Sequence, residues 1–252
     1  MKTEFIKDAN LPKNKVQYAL IGKKYSETAD ELSKLGIETI CLDENKNLDN
    51  ETASHADMLC CYLGNGEIVL SNEQLNAYEK LKGIGTDIKM QKGISAPYPH
   101  DIALNAAFFG NKIICNKKFI SNHILNYAEK NSLTVINTHQ GYSKCSICIV
   151  RENAVITEDE GIISLLKNYQ IDVLKIKPDQ IYLSDKHYGF LGGSSFKISD
   201  DQIYFNGNIE AHANYKEIIN FLIEQNVKPV YNINRPLTDI GGILPITQIT
   251  TD

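Results

Sequence analysis

The sequence predicts a mixed α/β fold in which about five strand–strand–helix–strand repeats close around a pseudo-fivefold axis. Three observations predict it. One unit, a small-residue strand, a tight turn, a second strand, a helix and a third strand, begins at His55, again at His100 and again at Gly141, and recurs in diverged form near both ends. Its period of roughly 40–50 residues marks a propeller or solenoid, because a single copy cannot bury its own apolar face. Finally, the segment TDIGGILPITQI from Thr238 offers the strand that the first copy lacks, as a ring does when it hides an exposed edge.

The elements follow in order. Residues 1–13 are polar, end in Leu11-Pro12 and read as an arm; residues 14–252 read as one domain, since no linker separates the copies. In the first copy, residues 16–21 form a strand and 26–35 a helix. Gly36 ends that helix, and residues 37–42 form the next strand. The hairpins of the next three copies turn at Gly64-Asn65-Gly66, Gly110-Asn111 and Glu152-Asn153. Ser71 with Gln74, and Thr157 with Glu160, have the spacing of capping boxes. Ile120, Ile124 and Tyr127 form one apolar helical stripe, and Ile162, Leu165 and Leu166 another. The fifth copy turns at Asp200-Asp201, opens a helix over 215–225 with Asn214 and Glu217, and ends in a strand at 227–231. Pro229 implies an edge or a strand end there.

Composition narrows the function classes. A net charge of −5 over 252 residues provides no basic footprint for nucleic acid or an anionic membrane. No apolar run reaches the 18 or so residues of a membrane helix, and the N-terminus lacks a signal-peptide core. Six cysteines, with Cys60 and Cys61 adjacent, fit free thiols in a reducing cytoplasm better than a disulfide scaffold. Abundant Asn, Lys and Ile with no Trp suggest an AT-rich bacterial genome by composition alone. The glycine-rich run 189–195 lacks the phosphate-loop pattern and precedes a hairpin, so no nucleotide and no other cofactor is expected.

The first strands carry small residues: Cys60-Cys61, Ala106-Ala107, Ser146, Gly192 to Ser195 and Gly241-Gly242. They serve either tight packing at the axis or room for a ligand. Asp57, Asp101 and Asp239 stand near the starts of those strands. There they either accept backbone amides at turns or grip a guanidinium or ammonium group. His55, His100, His139 and His187 hold corresponding places, suited to acid–base work or to solvated loops. No spacing resembles a metal motif. Cys145 and Cys148 form a CxxC, but KCSICIV reads as a strand, where residues three apart face opposite sides. On that reading Cys145, Ile147 and Ile149 pack on a helix, while Lys144, Ser146 and Cys148 face the channel. Lys144 then suits an anion or carboxylate, and either cysteine is a candidate displaced nucleophile.

A ring of such units closed by a glycine-rich last strand resembles the pentein superfamily of guanidino-group-modifying enzymes. HQGYSKCSICIV, GFLGGSS and PLTDIGGILPI are similar, more narrowly, to a clostridial family of that fold. The resemblance covers the chain from about Lys15 onward. It implies a pentein-like α/β-propeller with an axial pocket for a small guanidino or amino-acid-like ligand, as in a C–N hydrolase or amidinotransferase. It also implies a nucleophilic cysteine on the last strand, yet Pro245 stands where that cysteine is expected. The usual covalent route needs a thiolate beside a histidine. The residues expected at the site are therefore His139 and Cys148 for catalysis, and Asp57, Asp101, Asp239 and Lys144 for binding, with no metal. The alternatives are an inactive binding or regulatory module and a scaffold that contacts a macromolecule.

Overall fold

The computed structural model describes residues 2–250, whose strands form five small sheets. In chain order the elements are β1 (Lys2–Phe5), β2 (Val16–Gly22), α1 (Ser26–Lys34) and β3 (Glu38–Leu42). Next come α2 (Ala56–Leu59), β4 (Cys60–Gly64), β5 (Glu67–Ser71), α3 (Leu75–Gly83) and β6 (Asp87–Gln91). The third unit holds β7 (Ala107–Phe109), β8 (Lys112–Cys115), α4 (Asn122–Lys130) and β9 (Thr134–Asn137). The fourth holds α5 (Ser143–Ser146), β10 (Cys148–Arg151), β11 (Ala154–Thr157), α6 (Glu160–Leu166) and β12 (Asp172–Lys175). The fifth holds β13 (Ser195–Ser199), β14 (Gln202–Phe205), α7 (Tyr215–Glu224) and β15 (Lys228–Tyr231), and β16 (Leu244–Thr250) is the last strand described.

Four of the sheets repeat one register: an antiparallel hairpin, then a parallel strand reached through a helix. A parallel partner requires such a crossover. The sheet order β1-β16-β2-β3 shows the last strand completing the first unit, antiparallel to β2. The first strands are the inner ones: β4 is buried throughout, whereas β6 is partly exposed. Strand β16 packs on β4 and β13, β10 packs on β13, and α5 packs on β7 and β8. The helices bury one stripe each, for example Ile124 and Tyr127 on α4 and Ile218 and Leu222 on α7.

Closure of the ring is tied on its outer side by Arg235. Its Nη2 donates to Glu31 Oε2 on α1 at 2.9 Å and to Asn206 Oδ1 after β14 at 2.9 Å. Thr28 of α1 donates to the same Asn206 oxygen at 2.8 Å, and Tyr204 OH donates to Glu31 at 2.6 Å. Among the described residues no helix is long and apolar enough to cross a membrane.

Local expectations are revised in three places. The N-terminal segment is no free arm, because β1 pairs along β16 and Ile6 is buried. Asp159 caps α6, accepting the Ile162 amide at 2.8 Å, while Thr157 donates to the Ser146 carbonyl at 2.6 Å. Gln74 exchanges hydrogen bonds with the Asp43 backbone instead of closing a capping box with Ser71.

Candidate functional site

Every inner strand is preceded by a tight turn, and the five turns meet at one end of the axis. A hydrogen bond joins each to the next. Asp57 N–H donates to the Gly241 carbonyl at 3.1 Å, linking the second unit to the first. Asn105 Nδ2 approaches Met58 Sδ at 3.4 Å, and Lys144 N–H donates to Asn105 Oδ1 at 2.7 Å. Lys144 Nζ donates to the Gly192 carbonyl at 3.3 Å, and Gly242 N–H to the Gly193 carbonyl at 2.8 Å, which returns to the first unit. This circuit brings together side chains far apart in the chain.

At its centre the Cys145 thiol donates to Asp57 Oδ2 at 2.8 Å, and Asn105 Nδ2 approaches the same sulfur at 3.4 Å. Asp239 accepts the Phe190 and Gly241 amides, at 2.9 and 2.8 Å, and its Oδ1 lies 4.0 Å from His55 Nδ1. His55 Nε2 and Asp57 Oδ1 are buried without a hydrogen-bond partner. Backbone closeness makes the glycines necessary. A Cβ on Gly193 would fall 2.0 Å from Asp239 Oδ1; one on Gly241, at φ +72°, would fall 2.2 Å from His55 Cβ.

Burial dominates the electrostatics. It raises the Asp57 carboxyl from 3.8 to about 7; the nearby Lys144 ammonium opposes that rise and Asp239 adds to it. Burial, then the Asp57 and Asp239 charges, push the Cys145 thiol well above its ordinary range. Burial lowers His55, against the pull of Asp239. The resting site therefore holds a protonated thiol, a neutral imidazole and a carboxyl that titrates near neutrality. Ligand atoms of His55, Asp57 and Cys145 all lie within 4.8 Å of one another, a spacing that could hold a metal ion. The thiol proton already bridges to Asp57, and the Lys144 charge acts on that carboxylate, so the arrangement as it stands favours proton transfer.

A cavity of about 250 Å³ opens above this cluster, with His55, Cys145, Tyr142 and Asp239 in its wall. Leu183, His187, Tyr188 and Phe190 contribute one side of it from the loop between β12 and β13. That loop is fastened across the mouth: Ser184 Oγ donates to Glu51 Oε1 at 2.6 Å, and His187 Nδ1 lies 2.8 Å from Glu51 Oε2.

Of the residues expected from sequence, Asp57, Asp239 and Lys144 meet in this cluster. Asp101 borders it, buried, with Tyr142 OH donating to its Oδ2 at 2.8 Å. His139 stands apart, exposed in a surface recess with Asn116 and Lys117. Cys148 is buried on β10 in an apolar cluster, its thiol pushed up to about 11 by burial, and it does not line the cavity. The parity argument for KCSICIV is overturned, because residues 143–146 form a helical turn and the strand begins only at Cys148. That turn sends Cys145 to the centre. His55 and Asn105 join it; the HxD spacing of His55 and Asp57 was the available signal for the first, and nothing local marked the second.

The model of a family of unknown function, DUF6873, matches residues 20–244. No curated protein matches the sequence. Among solved structures the chain is similar to an amidinotransferase of Microseira wollei from the saxitoxin biosynthetic pathway. The TM-score is 0.62 at 9% identity, covering 97% of this chain and 98% of that one. It is similar also to the inosamine-phosphate amidinotransferase of Streptomyces griseus, with a TM-score of 0.59, 11% identity and 98% of each chain covered. An agmatine deiminase of C. jejuni matches at 0.54 with 12% identity over 92% of each chain. At these identities the likeness is one of fold, and it is the pentein fold.

Proposed function

This chain belongs to that DUF6873 family, and we propose that its axial cavity receives a small guanidino or amidino cation on which Cys145 acts at a C–N bond. The observation that carries this reading is the Cys145–Asp57 hydrogen bond of 2.8 Å at the edge of a cavity that also presents Asp239 and His55. The structural relatives include amidinotransferases and an agmatine deiminase, which supports an amidino or guanidino ligand.

The chemistry runs as follows. A guanidinium against Asp239 brings positive charge beside the thiol, which favours the thiolate. The Cys145 proton passes to the Asp57 carboxylate as Sγ bonds to the guanidinium carbon. One C–N bond then breaks, the leaving amine takes the proton back from Asp57, and an S-linked thiouronium remains. Water or an acceptor amine next attacks that carbon, the C–S bond breaks, and the sulfur regains a proton. Pro245 takes no part in this scheme. Lys144 restrains the rise of the Asp57 carboxyl, so a fraction is ionised and able to accept a proton near neutral pH.

A second reading, binding without turnover, is favoured by one observation: burial holds the resting thiol protonated. A thermal-shift series with butylguanidine on the wild type, Asp239→Asn and Cys145→Ala tests the pair. The proposal expects a rise in Tm for the wild type, its loss in Asp239→Asn, and release of butylamine by the wild type alone. A shift without release leaves the binding module. No shift in the wild type, or an equal shift in Asp239→Asn, removes the axial cation site.

A further inference from the structure

The charge pattern of the cavity distinguishes among guanidino compounds by what they carry at the other end. Three carboxylates line it: Asp239 deep in the wall, Asp49 and Glu51 towards the mouth. Among the described residues that line it there is no lysine or arginine. The ammonium groups whose charges act on the neighbouring residues, Lys144 on Asp57, Lys24 on His55 and Lys186 on Glu51, stay outside that lining. Of the two histidines in the wall, His187 is engaged by Glu51 at 2.8 Å, and His55 lies at the buried end, its Nδ1 4.0 Å from Asp239 and its Nε2 unpartnered, away from the mouth. A ligand carboxylate at the mouth would face Asp49 and would have to displace Glu51 from both His187 and Ser184. An ammonium group there would meet two carboxylates instead.

We infer that the ligand is a dication: a guanidinium or amidinium held at Asp239 and Cys145, a short apolar spacer, and an amine held at Asp49 and Glu51, with no carboxylate. Met58, Leu183 and Phe190 supply an apolar wall for the spacer. This inference rests on the axial cation site proposed above and narrows its ligand class away from α-amino acids.

Isothermal titration of the full chain with four probes of matched guanidine end tests it. They are butylguanidine with a neutral tail, agmatine with an amine tail, arginine with a zwitterionic tail, and 4-guanidinobutyrate with a carboxylate tail. The expected order is agmatine tightest, by about ten-fold or more over arginine, with 4-guanidinobutyrate weakest. In Asp49→Asn, an exposed position where folding is not at stake, and in Glu51→Gln, the ratio of agmatine to 4-guanidinobutyrate affinity narrows. Arginine or 4-guanidinobutyrate binding as tightly as agmatine, or a ratio unchanged in both variants, overturns the dication while leaving the axial site standing. Binding by none of the four removes the axial site and the dication together.

Discussion

Asp57 is the residue on which most of the site's physics turns. Its neighbours leave one carboxylate oxygen without a partner, and burial favours its neutral form. The folded chain therefore keeps a proton that the unfolded chain releases between pH 3.8 and about 7. The stability this group contributes is whole below the lower value and is lost as pH rises through the upper one. Asp57→Asn removes the titration. Its stability relative to the wild type should improve between about pH 5 and pH 8, by on the order of 2–4 kcal/mol, as read from urea unfolding at each pH. A constant difference across that range would mean that Asp57 is ionised throughout. The sequence made Asp57, Asp239 and Lys144 legible, because charged residues inside small-residue segments need a reason to be there. It named Cys145 only as an alternative to Cys148 and turned it away from the channel, because a four-residue helical turn and a strand share an apolar pattern at that length.

At the scale of elements, the turns before the inner strands matter more than the strands. Three of them are helical, at residues 56–59, 143–146 and 192–194, and each places polar groups where a strand would have sent them into a core. Hairpins, crossover helices and their apolar stripes were all readable from turn chemistry and 3.6-residue spacing. The helical turns were not, since beside their local hydrogen bonds each is held by bonds to other units of the ring, Asp57 N–H to Gly241, Lys144 N–H to Asn105 and Gly242 N–H to Gly193. The same dependence on distant partners holds for the Arg235 tie between α1 and the fifth unit. Arg235→Ala should cost about 2–3 kcal/mol, because it leaves Glu31, Thr28 and Asn206 short of a donor at once. A double-mutant cycle with Glu31→Ala should be clearly less than additive. Additive losses would show that the two side chains act separately and that the tie is not a unit.

Across the whole molecule, the ring is what turns five weakly informative segments into one site. Its five-fold repetition was plain in the sequence, and so was the return of the last strand to the first unit. Pro245 fits that role: it pairs opposite Ala19 where the register of β16 shifts, so the ladder loses little by its missing amide. The position that carries the nucleophile in the resemblance thus serves closure here, and among the described residues the only thiol in the cavity wall comes from the fourth unit. The six cysteines offer an internal control, since Cys41 is half-buried while the other five are buried. The most direct measurement is peptide-mapped alkylation, comparing 2-chloroacetamidine, a cation, with 2-chloroacetamide, its neutral counterpart of nearly equal size. The predicted result is modification at Cys145, about ten-fold or more faster with the amidine, and suppressed by butylguanidine. Equal rates for the two reagents, with label confined to Cys41, would contradict a cation-receiving axial thiol.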